Sequence, residues 1–106
     1  MTKTICCGLE QVDGTYYAHL WIPPDGVSRR GGNHLTPEEA AALFGNLQQH
    51  QVDDPRPPRR RRQDSGCSGI HLWFSDGSTT VNTANQFMAV VQAPLKGQGV
   101  SFTRQR

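Results

Sequence analysis

His71-Leu72-Trp73-Phe74-Ser75-Asp76-Gly77 has a near copy upstream, His19-Leu20-Trp21-Ile22-Pro23-Pro24-Asp25-Gly26, and together they hold both tryptophans of the chain. Each copy alternates aliphatic residues with His and Trp, the period of two that marks a strand with unlike faces. Ala18, Leu20 and Ile22 fall on one side, Tyr17, His19 and Trp21 on the other; Ile70, Leu72 and Phe74 oppose His71, Trp73 and Ser75 in the same way. The aliphatic side is the core face. The side with two His-x-Trp pairs is either a second, more polar packing surface or an exposed aromatic platform.

The likeness continues beyond the strands. Asp25-Gly26 and Asp76-Gly77 favour a reversal into a hairpin, since Gly takes positive φ at little cost. Helix starts follow in both halves: Leu35-Thr36-Pro37-Glu38-Glu39 gives a staple residue, an N-cap, Pro at the first helical position and a capping-box Glu, and Thr83-Ala84-Asn85-Gln86 repeats the box. Counted from these caps, Ala40, Leu43, Phe44 and Leu47 match Phe87, Val90, Val91 and Pro94, so the apolar stripes share a phase. An internal duplication of a hairpin–helix unit accounts for the match, with half-repeats at about 15–50 and 69–106.

With 106 residues the chain makes one domain with one modest core. Lys3 to Leu9 reads as a first strand returning through Asp13-Gly14 into Thr15 to Ile22, where Pro23 and Pro24 end pairing. A helix follows from Pro37 to about Gln49. After the second copy come a partner strand from Ser78 to Val81, a helix from Ala84 to about Ala93 stopped by Pro94 and Gly97, and a last strand from Gly99 to Arg104. The fold class is α+β: an antiparallel sheet with two helices on one face.

Between the halves, residues 52–68 carry three prolines and five arginines and almost nothing apolar. Such a segment is expected to run as an extended, flexible loop, because it has little to bury against the cost of ordering it. Its Arg59, Arg60, Arg61 and Arg62, with Arg29 and Arg30 in the earlier glycine-bearing loop, concentrate positive charge in a chain of formal net charge only +2. No apolar run is long enough to cross a membrane and no secretory leader pattern opens the sequence, so the expected location is the cytoplasm. Three cysteines, an odd number, argue against a secreted disulfide framework.

An aromatic sheet face beside an arginine-rich loop is what single-stranded nucleic-acid binders use: bases stack on Trp or Tyr while Arg follows the phosphates. The element order is similar in layout to the RNA-recognition fold, but the glycine-aromatic motif of that family is absent, so no family is assigned. Aromatic and Arg residues are equally at home in protein interfaces, including a homodimer through this face. The expected role is a small non-enzymatic binding protein of inhibitor or adaptor type. It would dock an anionic partner, an acidic or nucleic-acid-handling protein or a nucleic acid or nucleotide, through Tyr17, His19, Trp21, Arg29, Arg30, Arg59 to Arg62, His71 and Trp73. No cofactor is expected. Two alternatives stand beside it. His19 and His71 could form an acid–base pair for phosphodiester cleavage. Cys67 and His71, four apart, could join Cys6 or Cys7 around zinc, although no Cys-x-x-Cys pair occurs.

Overall fold

The computed structural model describes residues 3–23, 34–61 and 69–104, with backbone alone over 101–104. Strands β1 (Thr4–Val12) and β2 (Thr15–Ile22) form the expected hairpin. Asp13 and Gly14 both take positive φ, 51° and 83°, and Val12 pairs with Thr15. This is a two-residue turn whose twist suits the strands.

The two His-Leu-Trp copies lie side by side. Strand β4 (Ile70–Phe74) pairs antiparallel with β2 so that Leu20 faces Leu72, His19 faces Trp73 and Trp21 faces His71. The copies are therefore related by a local two-fold through the Leu20–Leu72 pair. Strand β3 (Gln51–Val52) flanks β4, and β5 (Ser101–Arg104) runs parallel to β1, giving the order β3-β4-β2-β1-β5.

The strand expected over Ser78 to Val81 does not form. The Asp76 carboxylate accepts the Ser78 N–H at 3.1 Å, Gly77 takes φ +84°, and the Ser78 carbonyl accepts the Tyr16 N–H at 2.8 Å. These bonds tie the loop to the start of β2. The outer edge of β4 is met instead by β3, with the Ser75 N–H donating to the His50 carbonyl at 2.9 Å.

Helix α1 (Pro37–Leu43) starts at the expected cap. Thr36 Oγ1 accepts the Glu39 N–H at 3.2 Å, and Glu39 Oε1 accepts the Thr36 N–H at 3.0 Å. Lys3 Nζ lies 2.6 Å from Glu39 Oε2; this hydrogen bond and charge, with the Thr36 N–H, hold the Glu39 carboxyl below its ordinary value. Thr36→Ala is expected to cost about 1 kcal/mol, as N-cap losses do, measured by urea unfolding. The helix is shorter than the expected span to Gln49: at Gly45-Asn46, both poor helix formers, it gives way to a 3₁₀ segment over Gly45–His50.

Helix α3 (Val81–Gly97) is longer than expected at both ends. Its N-cap is Thr80, whose Oγ1 accepts the Thr83 N–H at 3.2 Å, so the chain enters the helix three residues before the anticipated box. Pro94 sits inside the last turn rather than ending it. The turn closes as a Schellman motif, with Gly99 at φ +70°, Gly99 N–H on Lys96 O at 3.2 Å and Val100 N–H on Leu95 O at 3.0 Å, and Leu95 and Val100 buried beside it.

One core joins these parts. Ile5, Cys7, Ala18, Leu20, Ile22 and Phe74 from the sheet meet Ala40, Phe44 and Leu47 on one side and Ala84, Phe87, Met88, Val91 and Leu95 from α3. Both main helices thus cover the aliphatic face of an α+β domain. The polar face, on the other side of the sheet, is covered differently.

Candidate functional site: the strapped aromatic face

Alternation puts Glu10, Tyr17, His19, Trp21, His71 and Trp73 on the polar face, and register brings them together. The Trp73 and His19 rings stack with centroids 3.8 Å apart and planes 10° from parallel. His19 Nε2 lies 2.7 Å from His71 Nδ1, so one imidazole donates to the other. Tyr17 meets Trp73 edge to face at 6.4 Å. Glu10 Oε2 is 3.8 Å from His19 Nδ1.

This face is not bare. From β3 the chain runs back across it through a strap, residues 53–61, that ends in the single helical turn α2 (Pro58–Arg61). The Arg56 guanidinium sits 4.7 Å from the Trp73 ring centroid, within cation–π range. Trp73 is 2% exposed, His19 3% and Arg56 5%, so the centre of the face is sealed, while Tyr17, Trp21 and His71 are half-buried.

The expectation of an extended loop is therefore corrected for residues 53–61. Asp54 is the reason. Its carboxylate accepts the Arg56 backbone N–H at 2.9 Å, Nε at 3.0 Å and Nη2 at 2.7 Å, and its carbonyl accepts Arg61 Nη2 at 2.9 Å. Arg61 Nε also donates to the Arg56 carbonyl at 2.8 Å. Partial burial alone would raise the Asp54 carboxyl; the hydrogen bonds and charge of Arg56, helped by Arg61, outweigh it and hold the group below its ordinary value. Pro55 and Pro57 flank Arg56 and limit the backbone freedom lost on ordering. At the far end Arg60 pairs with Glu10 of β1.

Most of the anticipated site residues can now be placed. Tyr17, His19, Trp21, His71 and Trp73 share the polar face as expected. Arg59, Arg60 and Arg61 stand exposed on α2, at the outer side of the strap. Arg29, Arg30, Arg62 and Cys67 lie outside the described residues. Three residues escaped the sequence reading: Glu10, Asp54 and Arg56. The Asp-Pro-Arg-Pro string was the available signal for two of them, since a carboxylate two residues before an Arg between prolines is set up for a local bidentate pair. Glu10 reaches this face through the β1–β2 register, which sets it opposite Tyr17.

The two histidines touch each other rather than bracket a space. Their shared contact uses His19 Nε2 and His71 Nδ1. Cys6 is half-buried and Cys7 lies in the core, where its sulfur accepts from Gln92 Nε2 at 3.4 Å. Among the described residues no group of three or more His, Cys, Asp or Glu is placed to hold a metal ion. On the aliphatic face a groove of about 330 Å³ between α1 and β4 is lined by residues such as Ile22, Phe44, Leu72 and Gln48, and among the described residues no charged side chain lines it. No helix among the described residues is long and apolar enough to cross a membrane.

Compared with known proteins, the chain matches no family model, and neither the curated proteins nor the solved structures yield a match.

Proposed function

We propose that this chain is a small, non-enzymatic binding protein that docks an anionic partner through the arginines of the strap. One observation carries the reading: Arg59, Arg60 and Arg61 stand exposed on a segment held down by the buried Arg56. Three consecutive guanidiniums on a flexible tail would lose much conformational freedom on binding. Here Asp54, Pro55, Pro57 and the Trp73 ring have already ordered the base from which they project. Guanidiniums are suited to phosphates and carboxylates, which they can hold bidentately.

Nucleic acid is the favoured partner because the half-buried rings of Tyr17, Trp21 and His71 lie on the same sheet face that the strap crosses and offer flat surfaces to bases. An acidic protein surface would use the guanidiniums and leave those rings idle. Anisotropy titration of labelled single-stranded oligonucleotides at several salt concentrations tests the reading. Binding is expected to weaken with salt, and replacing Arg59, Arg60 and Arg61 together by Gln is expected to flatten the log–log salt slope by about 2, since each lost phosphate contact removes about 0.7. Arg59→Gln alone, which leaves the internal contacts of Arg60 and Arg61 in place, is expected to remove about a third of that. Binding with an unchanged slope in the triple variant, or no binding at low salt, would count against the strap as the docking element.

A further inference from the structure

The strap has two kinds of contact. Inside it, Asp54 grips Arg56 and Arg61, so residues 54–61 hold together as a unit. Against the sheet it rests Arg56 on Trp73 and pairs Arg60 with Glu10. The Arg60–Glu10 contact joins side chains 44% and 23% exposed, reachable by an ion in solvent. A carboxylate of the protein thus occupies one of the guanidiniums that would bind the partner.

Beneath the unit lies a second uneven feature. The indole N–H of Trp73 is buried and, among the described residues, has no hydrogen-bond partner. A buried donor without a partner costs free energy. The contacts of the closed strap with the sheet include a surface ion pair and a ring contact, and among the described residues the indole N–H beneath it has no partner.

We infer that the strap is a self-inhibiting latch: Glu10 competes with nucleic-acid phosphate for Arg60, and phosphate binding lifts the strap from the Trp73–His19 stack so that bases can reach those rings. The inference rests on the binding function proposed above. It adds a regulator, Glu10, and a second layer of site, Trp73 and His19, that the closed form hides. The groups facing this layer are Glu10 from β1, Tyr17 and His19 from β2, His71 from β4, and Arg56 and Arg60 from the strap with Asp54 behind them. Phosphate replaces Glu10 on Arg60 without changing the sign of the charge that Arg60 faces. Single-stranded nucleic acid is the class that supplies both phosphate for the guanidiniums and flat bases for the uncovered rings.

The test uses the full chain carrying Trp21→Phe, so that Trp73 is the sole tryptophan. Two readouts are taken: affinity for a single-stranded oligonucleotide, and acrylamide quenching of Trp73 with and without it. Glu10→Gln is expected to bind about two- to fivefold more tightly, the range set by the energy of an exposed ion pair. Glu38→Gln removes the same charge from an exposed position on α1, on the opposite face of the sheet, and is expected to change affinity by less. In the complex Trp73 quenching is expected to change, by gain of access as the strap lifts or by direct quenching as a base stacks, with acrylamide dependence telling the two apart. Glu10→Asp, which keeps the charge but withdraws it from Arg60, is expected to move affinity the same way as Glu10→Gln and stands in if that variant fails to fold. Oligonucleotide binding with Glu10 and Glu38 variants alike and Trp73 unchanged overturns the latch and leaves the binding function standing. No oligonucleotide binding at low salt by any variant, nor by the chain that keeps Trp21, overturns both. Binding of polyglutamate but not of oligonucleotide overturns the nucleic-acid assignment and points to an acidic protein.

Discussion

Trp73→Ala is expected to lower the free energy of unfolding by about 3–5 kcal/mol, the range for removing a buried large aromatic side chain. Trp73 is 2% exposed and meets three members of the polar layer: His19 stacked at 3.8 Å, Tyr17 at its edge and Arg56 over its ring. Its loss opens a cavity and also strips Arg56 of the ring it lies on. Against a total stability of about 5–15 kcal/mol for a domain of this kind, that is a large share of what holds the fold. Trp21→Ala provides the contrast. That ring is half-buried, with His34 edge-on at 6.4 Å, and its removal is expected to cost less than half as much. Urea denaturation of the two variants decides it: equal losses, or a Trp73 loss under about 1 kcal/mol, would mean the strapped face carries little of the stability.

Gly69→Ala carries the second large effect. Gly69 leads into β4 at φ +131°, a conformation that L residues rarely adopt, and a Cβ there would lie 2.2 Å from the Ile22 carbonyl oxygen and 3.2 Å from Pro23 Cα. These are backbone atoms at and just past the end of β2 and cannot rotate away. Strain and overlap together are expected to cost about 2–5 kcal/mol. Gly77 is the control: φ is +84° but nothing lies within 4 Å of its Cβ position, so Gly77→Ala meets strain alone, about 1–2 kcal/mol. A thermal midpoint for Gly69→Ala no lower than that of Gly77→Ala would show that β4 can enter the sheet another way.

The parts of this fold that were legible in the sequence are those decided by contacts a few residues apart. Asp13-Gly14 announced the first hairpin, and Thr36 with Glu39 announced α1, because turn geometry and capping are local. Period-two alternation is enough to place Tyr17, His19 and Trp21 on one face of their strand and His71 and Trp73 on one face of theirs. What stayed hidden depended on partners far along the chain. Ser78 to Val81 has the composition of a strand, but the β4 edge was filled by Gln51 and Val52, and the Ser78 carbonyl went to Tyr16. Pro94 read as a helix stop, yet buried Leu95 and the Gly99 cap carry the helix one turn further. The arginine-proline segment looked too polar to order. Asp54 overturned that expectation by turning Arg56 from a solvated charge into a paired, flat side chain that could be buried on an indole. Composition counts charges, and it does not show that one of them will be neutralised two residues away.

The same gap separates the expected site from the observed one. Face membership was readable; coverage of the face was not. Whether the rings of His19 and Trp73 meet solvent depends on the path of the chain after β3, and no periodicity encodes that path.

The central claim is that an arginine strap is held over the Trp73–His19 stack, and acrylamide quenching of the Trp21→Phe protein, unliganded and at neutral pH, tests it most directly. The structure predicts that the remaining tryptophan, Trp73, is quenched several-fold less readily than free tryptophan and becomes accessible when Arg56 is replaced by Ala. Quenching as efficient as that of the free amino acid in the folded, unsubstituted strap would contradict it.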